Sequence, residues 1–142
     1  MGLKIFVDTD VIIDFLIDRH PHSFPASHIF DLGDRNSITI FTSSLCISNV
    51  HYIVKKIMGD KKARAVIGEL LNFISILDVT EDDIRNAIKS DFKDFEDAIQ
   101  HSVATKQKGL KSIVTRNTKD FKKYKVAVFT PDSFIKMLQN ES

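Results

Sequence analysis

The chain has 142 residues, of which 43% are hydrophobic and 27% are charged, and its formal net charge is +1. These values are ordinary for a soluble globular protein, and no apolar run approaches the ~20 residues that a membrane span requires. Asp8 and Asp10 interrupt the apolar stretch near the N-terminus, so we expect no signal peptide. A lone cysteine, Cys46, excludes an intrachain disulfide and favours a reducing, cytoplasmic compartment.

Short apolar runs rich in β-formers alternate with amphipathic runs along the whole chain, and they predict strands and helices respectively. Gly33, Gly59 and Gly109 are predicted to end three of the helices. The predicted elements are, in chain order, strand 4–7, helix 11–16, helix 26–32, strand 37–41, helix 45–57, helix 61–72, strand 74–79, helix 84–90, helix 94–107, strand 112–115, strand 126–129 and a final helix opened by residues 130–132.

Five strands that alternate with helices predict a central parallel β-sheet covered on both faces, which is a three-layer α/β/α fold. The length suits one hydrophobic core, and the sequence contains no repeat, low-complexity tract or interdomain linker. We therefore expect a single domain over residues 1–142.

Charge is distributed unevenly although the net charge is small. Residues 78–97 contain eight acids and three bases, whereas residues 106–125 contain eight bases and the single acid Asp120. A basic flank beside an acidic centre suits a metal enzyme that holds a polyanion, and a solvated lysine-rich surface is the simpler alternative.

Acidic and amide side chains occur where a parallel sheet would bring them together. Asp8 ends the first strand, and Asn117 follows the fourth strand, with Asp120 three residues later. Asp94 and Asp97 are three residues apart on a predicted helix and therefore share a face. Ligands of open parallel sheets gather beyond the carboxyl ends of the strands. Oxygen donors without a cysteine or histidine cluster suit Mg²⁺ or Mn²⁺, so phosphate-ester chemistry is the leading hypothesis.

Each of these acids also has a purely structural interpretation. Asp8 and Asp10 could cap the first helix, and Asp94 could cap its own helix with Asp97 as a first-turn acid favoured by the helix dipole. Asp120 could be an ordinary turn residue. Helix caps, however, have no need to converge on one crevice, and the combination favours a functional site.

Four segments carry a more specific pattern: FVDTDVIID at residues 6–14, DFEDAIQ at 94–100, IVTRNTKDF at 113–121 and VFTPDSF at 128–134. Together they span nearly the whole chain. In this order they resemble the PIN-domain proteins, a family of metal-dependent ribonucleases that includes the VapC-type toxins of bacterial toxin–antitoxin pairs. The resemblance implies a PIN-like α/β/α fold and an endoribonuclease that uses Mg²⁺ or Mn²⁺.

The resemblance also assigns roles to individual residues. Asp8 would be the first metal ligand, and Asp97 would be the acid carried by the late helix. Asn117 falls where the family often has Asp, and Asp120 is the acid just beyond it. Asp94 matches an accessory acid. The implied catalytic set is therefore Asp8, Asp94, Asp97, Asn117 and Asp120, of which the four aspartates would hold the metal.

The sequence also offers candidates for contact with RNA, and the resemblance implies partners. Arg116 and Lys119 flank Asn117 and Asp120 directly, which makes them candidates for contacts to RNA phosphates. His51 and His101 are weaker candidates for RNA contact. Resemblance to the toxin group further implies an RNA substrate, a small antitoxin protein whose tail covers the crevice, and a homodimer.

One departure from the family pattern stands out. The family usually has a glutamate in the helix after the second strand, and the resemblance places Asn49 at that position. An asparagine can ligate through its carbonyl oxygen but adds no negative charge. Asp94 could compensate by supplying a carboxylate from the neighbouring helix, and Asp10 could orient Asp8 instead of binding metal.

Three other functions fit parts of the sequence. A catalytically degenerate PIN-like domain could bind RNA or a protein without cutting, because Asn49 and Asn117 both replace possible carboxylates. A haloacid-dehalogenase-type phosphatase also opens with an apolar strand that ends in Asp-Thr-Asp, as residues 8–10 do here, but the chain is short for it. A response-regulator receiver is the weakest fit because no acid ends the third strand.

Overall fold

The central element of the fold is a five-stranded, all-parallel sheet. A computed structural model describes residues 2–119 and 121–141 of the chain. The strands are β1 (Leu3–Val7), β2 (Ile38–Ser43), β3 (Ile74–Leu77), β4 (Leu110–Val114) and β5 (Ala127–Phe129). They are arranged in the order β3-β2-β1-β4-β5, and every neighbouring pair is parallel. The predicted parallel sheet is thus confirmed, with β1 at its centre.

Seven α-helices connect and flank the strands. They are α1 (Thr9–Leu16), α2 (Ser23–Asp34), α3 (Ser44–Met58), α4 (Asp60–Leu70), α5 (Glu81–Lys89), α6 (Phe95–Lys106) and α7 (Pro131–Glu141). Each agrees with a predicted helix to within a few residues. In the part of the chain that the structure describes, no helix combines the length and apolar composition needed to cross a membrane.

Alternating side chains of β1 separate two hydrophobic clusters. Ile5 and Val7 pack on one face of the sheet with α1, α2, α3, α4 and α7. Phe6 packs on the other face with α5 and α6. All three side chains are fully buried. Because successive residues of a strand point to opposite faces, a central strand with both faces covered has an uninterrupted apolar sequence. These two clusters confirm the three-layer α/β/α fold.

Gly33 does not end its helix, contrary to the prediction. Helix α2 continues through it to Asp34. A Cβ atom at Gly33 would lie 2.5 Å from Cδ1 of Ile40 on β2, so the glycine allows α2 to approach the sheet closely. The prediction at Gly59 was right: this residue follows α3 with a φ of +86°, a conformation that L side chains rarely adopt.

The pairing of β1 with β4 contains a shift of one residue. Lys4 lies opposite Leu110, but Ile5 lies opposite Ser112, and the new register continues to Val7 opposite Val114. Lys111 is therefore the extra residue on β4. The shift places the residues that follow the two strands, Asp8 and Thr115, side by side.

A buried carboxylate, Asp83, joins α5 to α6. Its side chain is fully buried, and it accepts hydrogen bonds from Nζ of Lys106 at 2.7 Å, Oγ of Ser102 at 2.8 Å and the backbone N–H of Thr80 at 2.8 Å. Burial alone would raise the pKa of Asp83, but these hydrogen bonds outweigh it and hold the pKa below the ordinary value of 3.8.

We expect Asp83→Asn to lower the free energy of unfolding at neutral pH by about 2 kcal/mol, because hydrogen bonds to a charged group are lost. The folded-state pKa is depressed, so the stabilisation is present above the ordinary value of 3.8 and is lost as the pH falls through the lower folded value. Urea titrations of both proteins should therefore converge at acid pH. The control is Asp82→Asn, because Asp82 is an exposed acid in the same helical turn. A stability difference that does not change with pH would contradict this account.

Candidate functional site

Asp8 lies at the carboxyl end of β1, where β1 and β4 run side by side. Its backbone N–H donates to the carbonyl of Val114 at 3.0 Å, which extends the pairing by one residue. Its Oδ2 accepts a hydrogen bond from Oγ1 of Thr115 at 3.0 Å, and its Oδ1 accepts one from the backbone N–H of Thr9 at 2.7 Å. The carboxylate therefore caps α1, as one interpretation predicted, and is also tied to the end of β4.

A chain of hydrogen bonds continues from Asp8 to α6. The backbone N–H of Asn117 donates to Oγ1 of Thr115 at 3.1 Å, and Nδ2 of Asn117 donates to Oδ2 of Asp97 at 3.4 Å. Asp97 is buried in the first turn of α6. The structure thus brings three of the predicted site residues, Asp8, Asp97 and Asn117, to one crevice at the end of the sheet.

Asp94 caps α6 and also acts on the crevice through its charge. Its Oδ1 accepts from the backbone N–H of Asp97 at 3.0 Å, so the predicted N-cap role is confirmed. Its negative charge is one of the influences that raise the pKa of Asp8. The helix is held in place by a buried hydrogen bond of 2.6 Å from Oγ of Ser43, at the end of β2, to Oε1 of Gln100.

Burial and like charges disfavour ionisation of the two acids that follow β1. Burial is the largest cause that raises the pKa of Asp8, against hydrogen bonds from Thr9, Thr115 and Cys46 that lower it. The pKa of Asp10 rises to about 6, chiefly through burial and then through the charge of Asp8. Such repulsion among carboxylates is relieved when a cation binds beside them.

The donor set fits a hard cation that keeps part of its water shell. Among the described residues, Oδ1 of Asp10 is buried and has no hydrogen-bond partner. Within residues 2–119 and 121–141, no three acidic, histidine or cysteine side chains form a complete metal cage. Mg²⁺ is commonly held by only one or two carboxylates together with water and substrate phosphates, so Asp8 and Asp97 suit it. Asp120, the fourth predicted ligand, lies outside the described residues.

The two basic residues predicted to contact RNA have different surroundings. The guanidinium of Arg116 forms a two-point ion pair with the carboxylate of Asp14, at 2.6 and 3.2 Å, and its backbone N–H donates to Oδ2 of Asp10 at 3.0 Å. The Asp14 side chain is 1% exposed, and Nη1 of Arg19 lies 3.5 Å from it. The side chain of Lys119, by contrast, is exposed beside Asn117.

Three residues that contribute to the crevice were not predicted from the sequence. Thr115 bridges Asp8 and Asn117, and a hydroxyl residue directly after a strand was the available signal. Oε2 of Glu96 accepts from Nδ2 of Asn49 at 3.2 Å, which places a carboxylate beside the position where a glutamate was expected. Sγ of the buried Cys46 lies 3.8 Å from Oδ1 of Asp8, and burial raises the pKa of this thiol.

Comparison with protein-family models gives a match to the family described as "PIN domain" over residues 4–119. Among curated proteins, the chain is 34% identical over 139 residues to Ribonuclease VapC1 of Aquifex aeolicus (strain VF5). This alignment covers 92% of each chain.

Solved structures share the fold at lower sequence identity. VapBC2 of Rickettsia felis, solved bound to a DNA fragment from its promoter, aligns with a TM-score of 0.66 and 20% identity, covering 89% of this chain and 97% of that one. VapC20 of Mycobacterium tuberculosis, described as a toxin that cleaves the sarcin-ricin loop, aligns with a TM-score of 0.64 and 20% identity. That alignment covers 81% of this chain and 91% of the other.

We expect Arg116→Met to lower the free energy of unfolding by about 3 kcal/mol, because it leaves the buried Asp14 carboxylate with only the more distant Arg19. Arg35→Met is the matched control: it breaks an ion pair with Asp31 whose side chains are 72% and 50% exposed, and it should change stability little. Urea unfolding monitored by circular dichroism measures both. Equal effects of the two substitutions would show that the Asp14 pair is no stronger than a surface pair.

Proposed function

The chain belongs to the PIN-domain family, and on that premise we propose that it is a metal-dependent endoribonuclease that hydrolyses RNA phosphodiester bonds. The observation that carries the proposal is the hydrogen-bonded path from Asp8 through Thr115 and Asn117 to Asp97. The 34% identity to a protein named Ribonuclease VapC1 supports RNA as the substrate.

Asp8 and Asp97 would hold the Mg²⁺ or Mn²⁺ ion, with the predicted ligands Asp94 and Asp120, and Asn117 would fix the Asp97 carboxylate through its amide N–H. Such an ion activates a water molecule for attack and neutralises charge on the scissile phosphate. This chemistry needs neither a histidine base nor a covalent nucleophile. The described crevice is built from acidic, amide and hydroxyl side chains and from the buried thiol of Cys46, whose pKa is raised by burial.

The other residues of the crevice fix these donors in place. Thr115 donates to Oδ2 of Asp8 and the backbone N–H of Thr9 donates to Oδ1, so both oxygens of the carboxylate are fixed. Asp10 accepts from the backbone of Arg116 and so holds the segment that carries Asn117. Lys119, on the outer side of Asn117, supplies positive charge for an RNA phosphate, and Arg116 contributes charge at the same edge.

The same family relationship supports a toxin role in the cytoplasm, with a small antitoxin protein and a second copy of this chain as partners. Structures of toxin–antitoxin complexes share the fold, including one from Klebsiella pneumoniae with a TM-score of 0.66. An apolar groove of about 450 Å³ between α3 and α4, lined by Ile47, Ile67 and Leu71, supports docking of a partner protein.

A catalytically degenerate domain that binds RNA or a protein without cutting is the second candidate function. Asn49 and Asn117 favour it, because each replaces a possible carboxylate. It predicts that RNA binding is indifferent to metal ions and to Asp8→Ala.

We expect Mn²⁺- or Mg²⁺-dependent cleavage of RNA that falls at least about 100-fold in Asp8→Asn and in Asp97→Asn, because each variant removes a ligand charge without changing side-chain size. Structured and single-stranded RNA are incubated with each metal or with EDTA, and the products are separated on denaturing gels. Asp18→Asn is the matched control, since that side chain is 74% exposed.

Cleavage that persists in EDTA or in both variants would contradict the metal-dependent mechanism. If the wild-type protein binds RNA but cuts no substrate with either metal, the degenerate domain is favoured instead.

We expect Glu96→Gln and Asp94→Asn each to weaken Mn²⁺ binding about tenfold, because both lower the negative charge around the crevice. Asparagine caps helices as well as aspartate does, so the second variant preserves the start of α6. Isothermal titration with Mn²⁺ measures the affinity, and Glu81→Gln, at an exposed ion pair with Arg85, is the control. Unchanged affinity in either variant would show that this acid does not compensate for Asn49.

A further inference from the structure

A second cavity lies beside the crevice, on the face of the sheet covered by α5 and α6. It has a volume of about 400 Å³, within the range of ligand pockets, and its walls are both polar and aromatic. Its lining includes Asn86, Asp91, Phe92, His101, Lys123 and Lys125.

The cavity begins next to the proposed catalytic acid on the same helix. Ala98, the residue after Asp97, forms part of its wall, and His101 and Thr105 follow one and two turns later. A helix rises 1.5 Å per residue, so these residues lie about 6 and 12 Å along α6 from Asp97. An RNA strand bound at the crevice can therefore reach the cavity with a nucleotide close to the cleaved bond.

His101 presents a hydrogen-bond donor to the cavity. Its Nε2 accepts from the backbone N–H of Lys125 at 2.9 Å, which places the ring proton on Nδ1. Burial, and then the charge of Lys125, lower the pKa of His101, so the ring is neutral at pH 7. Among the described residues Nδ1 has no partner. The rings of Phe92 and Tyr124 lie 5.2 and 5.1 Å from the imidazole and hold it in place.

Polar and charged groups at the mouth complement a nucleotide. Nδ2 of Asn86 donates to Oγ of Ser102 at 3.2 Å, which leaves its carbonyl oxygen available as an acceptor. Lys123 is held by Asp91, through the backbone carbonyl and through the carboxylate at 3.9 Å. The side chain of Lys125 is exposed at the rim. Because carboxylates give the crevice a negative charge, RNA phosphates bind more favourably beside the exposed Lys125 than in the crevice itself.

We propose that this cavity is an RNA subsite that takes a single-stranded nucleotide flanking the cleaved bond. The base lies against the cavity wall formed by Phe92 and His101 and accepts a hydrogen bond from Nδ1 of His101, while Lys125 binds the adjoining phosphate. Base contacts to aromatic side chains combined with lysine contacts to phosphate are the usual means of holding single strands. The inference rests on the proposed ribonuclease function, since it assigns the cavity to that substrate.

The experiment measures RNA binding without cleavage, in EDTA and in the Asp8→Asn background. A fluorescein-labelled single-stranded oligoribonucleotide is titrated with protein, and anisotropy gives the Kd. Lys125→Glu should raise the Kd about tenfold by reversing the charge at the rim. Lys122→Glu makes the same charge change at an exposed lysine outside the cavity and should raise it about twofold at most.

A second measurement locates the RNA directly. The chain contains no tryptophan, so Thr105→Trp introduces a single tryptophan at the exposed edge of the cavity, and its emission can be excited apart from that of the tyrosines. RNA should change its emission saturably, with the Kd found by anisotropy. Lys61→Trp, on α4 at the opposite face of the sheet, should not respond.

Equal weakening by Lys125→Glu and Lys122→Glu, or an unchanged emission of Thr105→Trp, would overturn the subsite. The cleavage assay separates this result from the function itself. If the protein shows metal-dependent cleavage without these binding effects, the subsite is refuted and the proposed ribonuclease function stands. Both binding effects in a protein that cuts no RNA establish the subsite and refute the ribonuclease.

Discussion

The pairing of β1 with β4 is the constraint on which the crevice depends. Each strand is followed directly by a polar residue, and the parallel alignment of the two strands places Asp8 against Thr115. Thr115 then orients Asn117, which reaches Asp97 on α6. Parallel strands that share an edge gather their carboxyl ends automatically, so few additional contacts are needed to assemble donors from three distant parts of the sequence.

Stability and function make opposite demands on this region. Burial raises the pKa values of Asp8 and Asp10, and the charges of Asp94 and of Asp8, respectively, raise them further, so the charged forms are held at a cost in folding free energy. Perturbed carboxylates of this kind are characteristic of functional sites. The ion pair between Asp14 and Arg116 offsets part of the cost by tying α1 to the segment after β4. The arginine thus supports the crevice even before any contact with substrate is considered.

Local pattern was sufficient to predict the strands, the helices and the parallel sheet, because short apolar runs and helical periodicity are local signals. Gly33 was misjudged because its role depends on Ile40, a neighbour in space. The Asp14–Arg116 pair joins residues 102 positions apart, and the contact of Glu96 with Asn49 joins two helices, so neither left a local signal. Convergence of Asp8 and Asn117 was predictable, since strand ends meet at one edge of the sheet, and Asp97 joins them from the first turn of α6. The directions in which these side chains point at that edge were not predictable from the sequence.

The extra residue at Lys111 has a consequence for how the sequence can change over evolution. It separates β4 into two parts. Before it, Leu110 pairs with Lys4 of β1, and after it, β4 pairs with the residues of β1 from Ile5 onward, which lead to Asp8. Small changes in length at the turn before β4 can be absorbed at such an irregularity. No such irregularity lies between Ile113 and Asn117, so an insertion or deletion there would shift Thr115 and Asn117 relative to Asp8. The fold therefore concentrates its tolerance for insertion and deletion upstream of the shift and leaves the segment beside Asp8 fixed in length.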